Sequence, residues 1–138
     1  MSTRPLPDTA DPEFAPHWAG LREGRLLVPR CTGCGRHSWP PRPVCPACHA
    51  DHAEWSEVAA RGAVYSWTLV GHRTLPGFEP PYAVVLVETD TGVRLLGGFT
   101  ADRGELRIGL PVTAVYQRAD DVGTTLLAWA PAERTTHA

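Results

Sequence analysis

CTGCGRHSWPPRPVCPAC, residues 31–48, is the stretch on which the fold turns. It holds two C-x-x-C pairs, Cys31/Cys34 and Cys45/Cys48, with ten residues between them. Zn²⁺ favours four soft ligands in a tetrahedron, and each C-x-x-C folds back as a knuckle so that its two sulfurs converge on one point. Two knuckles complete the shell. Cys31, Cys34, Cys45 and Cys48 are therefore read as ligands of one structural zinc, with no position left open for a catalytic water. Gly33 and Gly35 give the first knuckle its backbone freedom and bring amide hydrogens towards the sulfurs. The short separation means a small ribbon. A thioredoxin-like dithiol needs only one pair, placed where a strand opens into a helix, and the Pro-rich surroundings do not supply that context. His49 and His52 follow the second pair; with four cysteines at hand they are read as surface neighbours of the site.

The rest of the composition agrees with a metal site in a small soluble domain. The chain has 138 residues, 43% hydrophobic and 20% charged, enough for one compact domain or a small domain with an appendage. All 13 basic residues are Arg, which removes Schiff-base chemistry, a pyridoxal anchor and a P-loop lysine. With 15 acids the formal charge is −2. Four zinc-bound thiolates (−4) and Zn²⁺ (+2) would bring it to −4, against the basic excess of a general nucleic-acid binder. The first residues, MSTRPLPDTADPEF, lack the apolar core of a secretory signal, and no run approaches the ~20 apolar residues of a membrane helix. A cytoplasmic location is expected, where cysteines are better explained by metal than by disulfides.

Upstream of the ribbon, residues 1–11 read as a flexible arm. Asp11-Pro12 offers an N-cap and Gly24 a stop, so a helix is expected within 12–25, with Pro16 able to delay its start. Phe14, Trp18 and Leu21 stand at i, i+4 and i+7 and line one face. Pattern alone favours packing of that face on the chain's own body, with a partner surface as the alternative. The ribbon itself is assigned to 26–57.

Downstream, short β-rich runs alternate with turn residues over 58–131, the spacing of a small barrel, followed by a tail at 132–138. Strands are expected near 62–71, 82–88, 93–100, 111–117 and 124–130. Tyr65, Trp67 and Leu69 should point one way, and Val64, Ser66 and Thr68 the other. Gly97-Gly98 suggests a bulge or the tight bend by which the sheet curls closed. The fold class is mainly β: a five-stranded barrel preceded by a helix and a zinc ribbon.

No G-x-S-x-G, G-x-G-x-x-G, H-E-x-x-H or Walker pattern is present. His72, Glu79, Asp90 and Asp102 are isolated polar residues with no second group tied to them in the sequence. Between residues 22 and 42, five Arg (22, 25, 30, 36, 42) face one acid, Glu23. This is first a solvated basic face beside an anionic metal cluster. Arg25, Arg30, Arg36 and Arg42 are alternatively contacts for a phosphate, as in coenzyme A. Trp39, Trp55, Tyr65 and Trp67 fit core positions better than base-stacking ones.

The order helix, L-L-V-P-R-C, C-x-x-C-G, W-P-P-R-P-V-C-P-x-C, R-G-x-V-Y-S-W-T, P-P-Y-A-V-V-L-V-E and L-R-I-G-L-P-V resembles the zinc-ribbon plus OB-fold proteins called "domain of unknown function 35", from about residue 12 to 130. The resemblance implies an OB-fold barrel with a rubredoxin-like ribbon, and a non-catalytic companion of a thiolase-like chain: a thiolase, aldolase or acyltransferase acting on acyl-CoA in steroid, aromatic or polyketide pathways. It implies catalytic residues on the larger chain and a hydratase or other acyl-CoA enzyme as a further partner. It also shifts the helix stripe of Phe14, Trp18 and Leu21 towards partner docking. Two other classes stand beside this reading. One is a nucleic-acid-binding ribbon and barrel, disfavoured by charge. The other is a protein that binds or turns over acyl-CoA by itself.

Overall fold

The computed structural model describes residues 5–120 and 123–132. Of the expected arm and tail, residues 1–4 and 133–138 lie outside the described residues. The elements, in chain order, are α1 (Ala15–Arg22), β1 (Leu26–Cys31), β2 (Ala53–Val58), β3 (Arg61–Val70), β4 (Tyr82–Thr89), β5 (Arg94–Phe99), β6 (Pro111–Arg118) and β7 (Thr125–Pro131).

Asp11 does not cap α1. Its carboxylate accepts from the Glu13 N–H at 3.0 Å, and its carbonyl accepts from Phe14 and Ala15, which makes a turn ahead of the helix. The helix starts three residues later than Pro12 suggests, with Pro16 in its first turn, where the missing N–H costs nothing. It stops where Gly24 takes φ +73° and its N–H reaches the Leu21 carbonyl at 3.1 Å.

β1 and β2 form a two-stranded antiparallel sheet running from Leu26↔Val58 at one end to Cys31↔Ala53 at the other. The cysteine end is therefore held at the tip of this ribbon, while Leu26, Val28 and Val58 at its base are buried. The remaining strands close into a barrel in the order β3-β4-β5-β7-β6, as expected of an OB-like sheet. All pairings but one are antiparallel; the closing seam, β5 to β7, is parallel and rests on only Gly98↔Ala128 and Phe99↔Trp129.

Gly97 makes this seam possible. A Cβ there would stand 2.8 Å from the Leu127 carbonyl oxygen and 2.9 Å from the Trp129 ring, so only glycine lets the two strands meet. The β4–β5 register runs unbroken through Gly97-Gly98, so the glycines serve closure and carry no bulge. The bulge lies in β3 instead, between Val64 and Ser66. It resets the alternation: Val64 is 2% exposed and Trp67, beyond the bulge, packs on the core, whereas Tyr65, expected to share Trp67's side, is 46% exposed; Leu69 keeps Trp67's side in the unbroken register that follows but is 50% exposed. An extra residue in one strand moves every later side chain to the opposite face.

One core spans both parts. Leu21 from α1, Leu26 and Val28 from β1 and Val58 from β2 join Val64, Val85, Val87, Leu95, Val112 and Trp129 of the barrel.

Candidate functional site

The two knuckles bring the four sulfurs of Cys31, Cys34, Cys45 and Cys48 within 4.8 Å of one another. Cys31 and Cys48 Sγ are 3.5 Å apart, Cys34 and Cys45 Sγ 3.7 Å. Four Zn–S bonds of about 2.3 Å in a tetrahedron space their sulfurs about 3.8 Å apart, so the cage fits zinc as it stands. The Gly33 N–H points at Cys31 Sγ (3.3 Å) and the Ala47 N–H at Cys45 Sγ (3.4 Å). These donors prepare thiolates. Backbone N–H groups of Cys48 and Ala47 draw the Cys45 thiol down to about 6, and that of Cys34 lowers Cys31. At Cys48 the backbone of Ala50 pulls down, but the Cys31 sulfur, desolvation and the sulfurs of Cys34 and Cys45 together outweigh it and push the thiol up to about 11. Four neighbouring anions resist one another, and a divalent cation is what lets all four ionise together. His49 and His52 stand outside the cluster; His52 is exposed and lies 3.3 Å from Asp51.

The segment between the knuckles does mechanical work. Trp39 packs against Phe14 (6.0 Å between ring centroids), His17 (4.4 Å) and Trp55 (6.5 Å), fastening α1 to the ribbon. Part of the helix stripe is consequently used within the chain. Leu21 is 1% exposed and Trp18 packs on the same core, so Leu21 has no surface to offer a partner; Phe14 is half-buried against Trp39.

The basic set disperses. Arg25 donates to Glu57 at 2.9 Å and lies 3.7 Å from Glu23, and its pKa is raised chiefly by the Glu57 bond. Arg30 donates from Nε to the Gly35 carbonyl at 3.1 Å and steadies the first knuckle. Arg36 and Arg42 are exposed. The isolated polar residues of the barrel stay apart: Glu79 pairs with Arg73 at 2.7 Å, Asp102 accepts from the Gly104 N–H at 3.1 Å, and His72 and Asp90 are exposed.

A second feature is a groove of about 420 Å³ at the barrel's parallel seam, under α1. Its walls include His17, Trp18, Tyr82, Leu96, Phe99 and Leu127. His17, overlooked in the sequence because it falls beside the 14/18/21 stripe, is 5% exposed. Its Nδ1 lies 3.3 Å from the Leu27 carbonyl, which can only accept, so Nδ1 carries the proton and Nε2 is a lone-pair acceptor. Burial holds its pKa below the ordinary histidine value, against the weaker opposing effect of the Leu27 bond.

Comparison with known proteins places both halves. Residues 18–53 match the family described as "ChsH2, rubredoxin-like zinc ribbon domain" and residues 55–117 that described as "ChsH2, C-terminal OB-fold domain". A "DUF35 domain-containing scaffold protein" of Methanocaldococcus jannaschii is 31% identical over 112 residues, covering 77% of this chain and 78% of that one. The chain belongs to the DUF35 family. A solved chain of the "Ltp2-ChsH2(DUF35) aldolase" superposes with a TM-score of 0.81 at 32% identity, over 91% of this chain and 98% of that one. A "probable enoyl-CoA hydratase alpha subunit" of Thermomonospora curvata is 38% identical over 102 residues, 72% of this DUF35 chain but only 31% of that relative's length. The ribbon and the barrel are thus the expected modules, with a four-cysteine cage suited to structural zinc. Among the described residues no helix is long and apolar enough to cross a membrane.

Proposed function

We propose that this DUF35 chain is a non-catalytic accessory subunit of a thiolase-like enzyme in acyl-CoA metabolism. The observation that carries this reading is the near-complete overlap with a chain of the Ltp2-ChsH2(DUF35) aldolase, together with a metal cage whose four sulfurs saturate a tetrahedral ion. A saturated zinc holds structure and has no site for substrate. Relatives named hydratase alpha subunit support a second acyl-CoA enzyme as a further partner.

Docking in this reading uses the junction of α1 and the ribbon, where Phe14 is half-buried beside Trp39, and not the interior Leu21. Arg25, Arg30, Arg36 and Arg42 are all exposed; with Arg25 engaged by Glu57 and Arg30 by the Gly35 carbonyl, Arg36 and Arg42 are the two offered to an anion such as the phosphates of coenzyme A. Acyl-CoA turnover should appear only when the chain is combined with a thiolase-like chain from the same genome, and the two should co-purify. Turnover by the purified chain alone, or full activity of the large chain without it, would overturn the assignment.

A further inference from the structure

The groove at the β5–β7 seam has the size of a small-molecule site and a lining that specifies one kind of occupant. Its volume of about 420 Å³ lies in the range of ligand pockets, about 300–1,000 Å³. Aromatic and aliphatic side chains dominate the walls. The acid at its rim, Glu79, is neutralised by Arg73 at 2.7 Å, and no lining residue is basic apart from the neutral His17. A carboxylate or phosphate placed inside would find no cation. An uncharged apolar molecule would lose little on entry.

His17 is the one buried polar side chain on this surface; Glu79 and Gln117 are exposed and Tyr82 is half-buried. His17 is nineteen-twentieths buried, its Nδ1–H is committed to Leu27, and its Nε2 has no hydrogen-bond partner among the described residues. Nε2 is not sealed from solvent, so a ligand hydroxyl or N–H can reach it and take the place of water. The rings of Trp18 and Trp39, 5.1 and 4.4 Å away, hold the imidazole in place, so the acceptor is preorganised. We propose that this groove is a binding site for an uncharged, apolar molecule bearing a single hydroxyl or N–H donor, which His17 Nε2 accepts. This site goes beyond the accessory-subunit reading and does not depend on it.

Three probes separate the alternatives: 4-octylphenol, its methyl ether and octanoate, titrated calorimetrically into the zinc-loaded full chain. The phenol should bind saturably at one per chain, the ether about fivefold more weakly through loss of one hydrogen bond, and octanoate not at all. Leu96→Trp, at a position 63% exposed on the groove wall, should abolish phenol binding without changing the melting temperature. His17→Phe keeps a ring among the tryptophans and should bind phenol and ether alike. Should that variant not fold, the ¹⁵N shift of wild-type His17 Nε2 serves instead, moving with the phenol and not with the ether. Equal binding of phenol and ether by the wild type, binding of octanoate as strong as that of the phenol, absence of saturable binding, or binding unaffected by Leu96→Trp would each overturn the proposal. So would a dimer in sedimentation that Leu96→Trp abolishes, since a second copy would then fill the groove.

Discussion

The tip of the ribbon and the barrel solve the same problem by different means. The barrel removes apolar side chains from water: Val85, Val87 and Trp129 are each 0% exposed. The ribbon tip has almost nothing to bury. Of its four cysteines only Cys31 is buried, and Cys34 and Cys48 are exposed. A segment this short cannot supply the apolar area that offsets chain entropy, so a metal must close it. The base of the ribbon belongs to the other regime, because Leu26, Val28 and Val58 are part of the barrel's core. The energetic boundary therefore falls inside the ribbon, between its base and its knuckles.

The sharpest test of that boundary is to remove the metal. Cys45→Ser, or a strong chelator, should release one zinc per chain and leave residues 31–52 without protection from amide exchange, while β3–β7 stay protected. Structural zinc is the main source of folding free energy for such knuckles, so this is the largest effect expected. Loss of barrel protection along with the tip would mean that the two parts form a single cooperative unit.

The complementary change strikes the barrel. Trp129→Ala should cost about 3–5 kcal/mol, the usual range for truncating a fully buried tryptophan, read as a lowered denaturation midpoint. Zinc content per folded chain should be unchanged. Gly97→Ala acts at the same seam with a smaller loss, about 1–3 kcal/mol, because its Cβ would press on the Leu127 carbonyl and the Trp129 ring, which must shift. A neutral result would show that the two-residue parallel seam contributes little to closure.

These contrasts also explain what the sequence reveals. The cage is legible because ligand identity and spacing alone dictate it, and the strands are legible because alternation and turn residues mark them. The bulge at Tyr65 is not, since no glycine or proline flags it and the side-chain pattern reads straight through. Trp39 looks like part of a metal loop, yet its role is to hold α1 through Phe14 and His17, some twenty residues away. The local excess of Arg is likewise misleading: Glu57, which neutralises Arg25, lies beyond the counted window and arrives only through the β1–β2 pairing. Non-local partners account for each of these differences.

Helix α1 belongs to both regimes, and His17 offers the gentlest way to ask which one it serves. Its folded pKa is depressed, so over the interval between that value and the unfolded value of about 6.5 the unfolded chain binds a proton that the folded chain refuses. The sign follows directly: stability is fully present above about pH 6.5 and declines as pH falls through the interval. Acid also protonates thiolates and weakens zinc binding, so the fall in melting temperature between about pH 7 and about pH 5 is not itself diagnostic. The difference between wild type and His17→Phe is, since both share the cage and only the wild type carries the imidazole. A shallower pH dependence in His17→Phe, seen in the barrel's amide protection as well as in the tip's, would mean that the helix transmits its state to both parts. A difference confined to the tip would make α1 a brace for the ribbon alone.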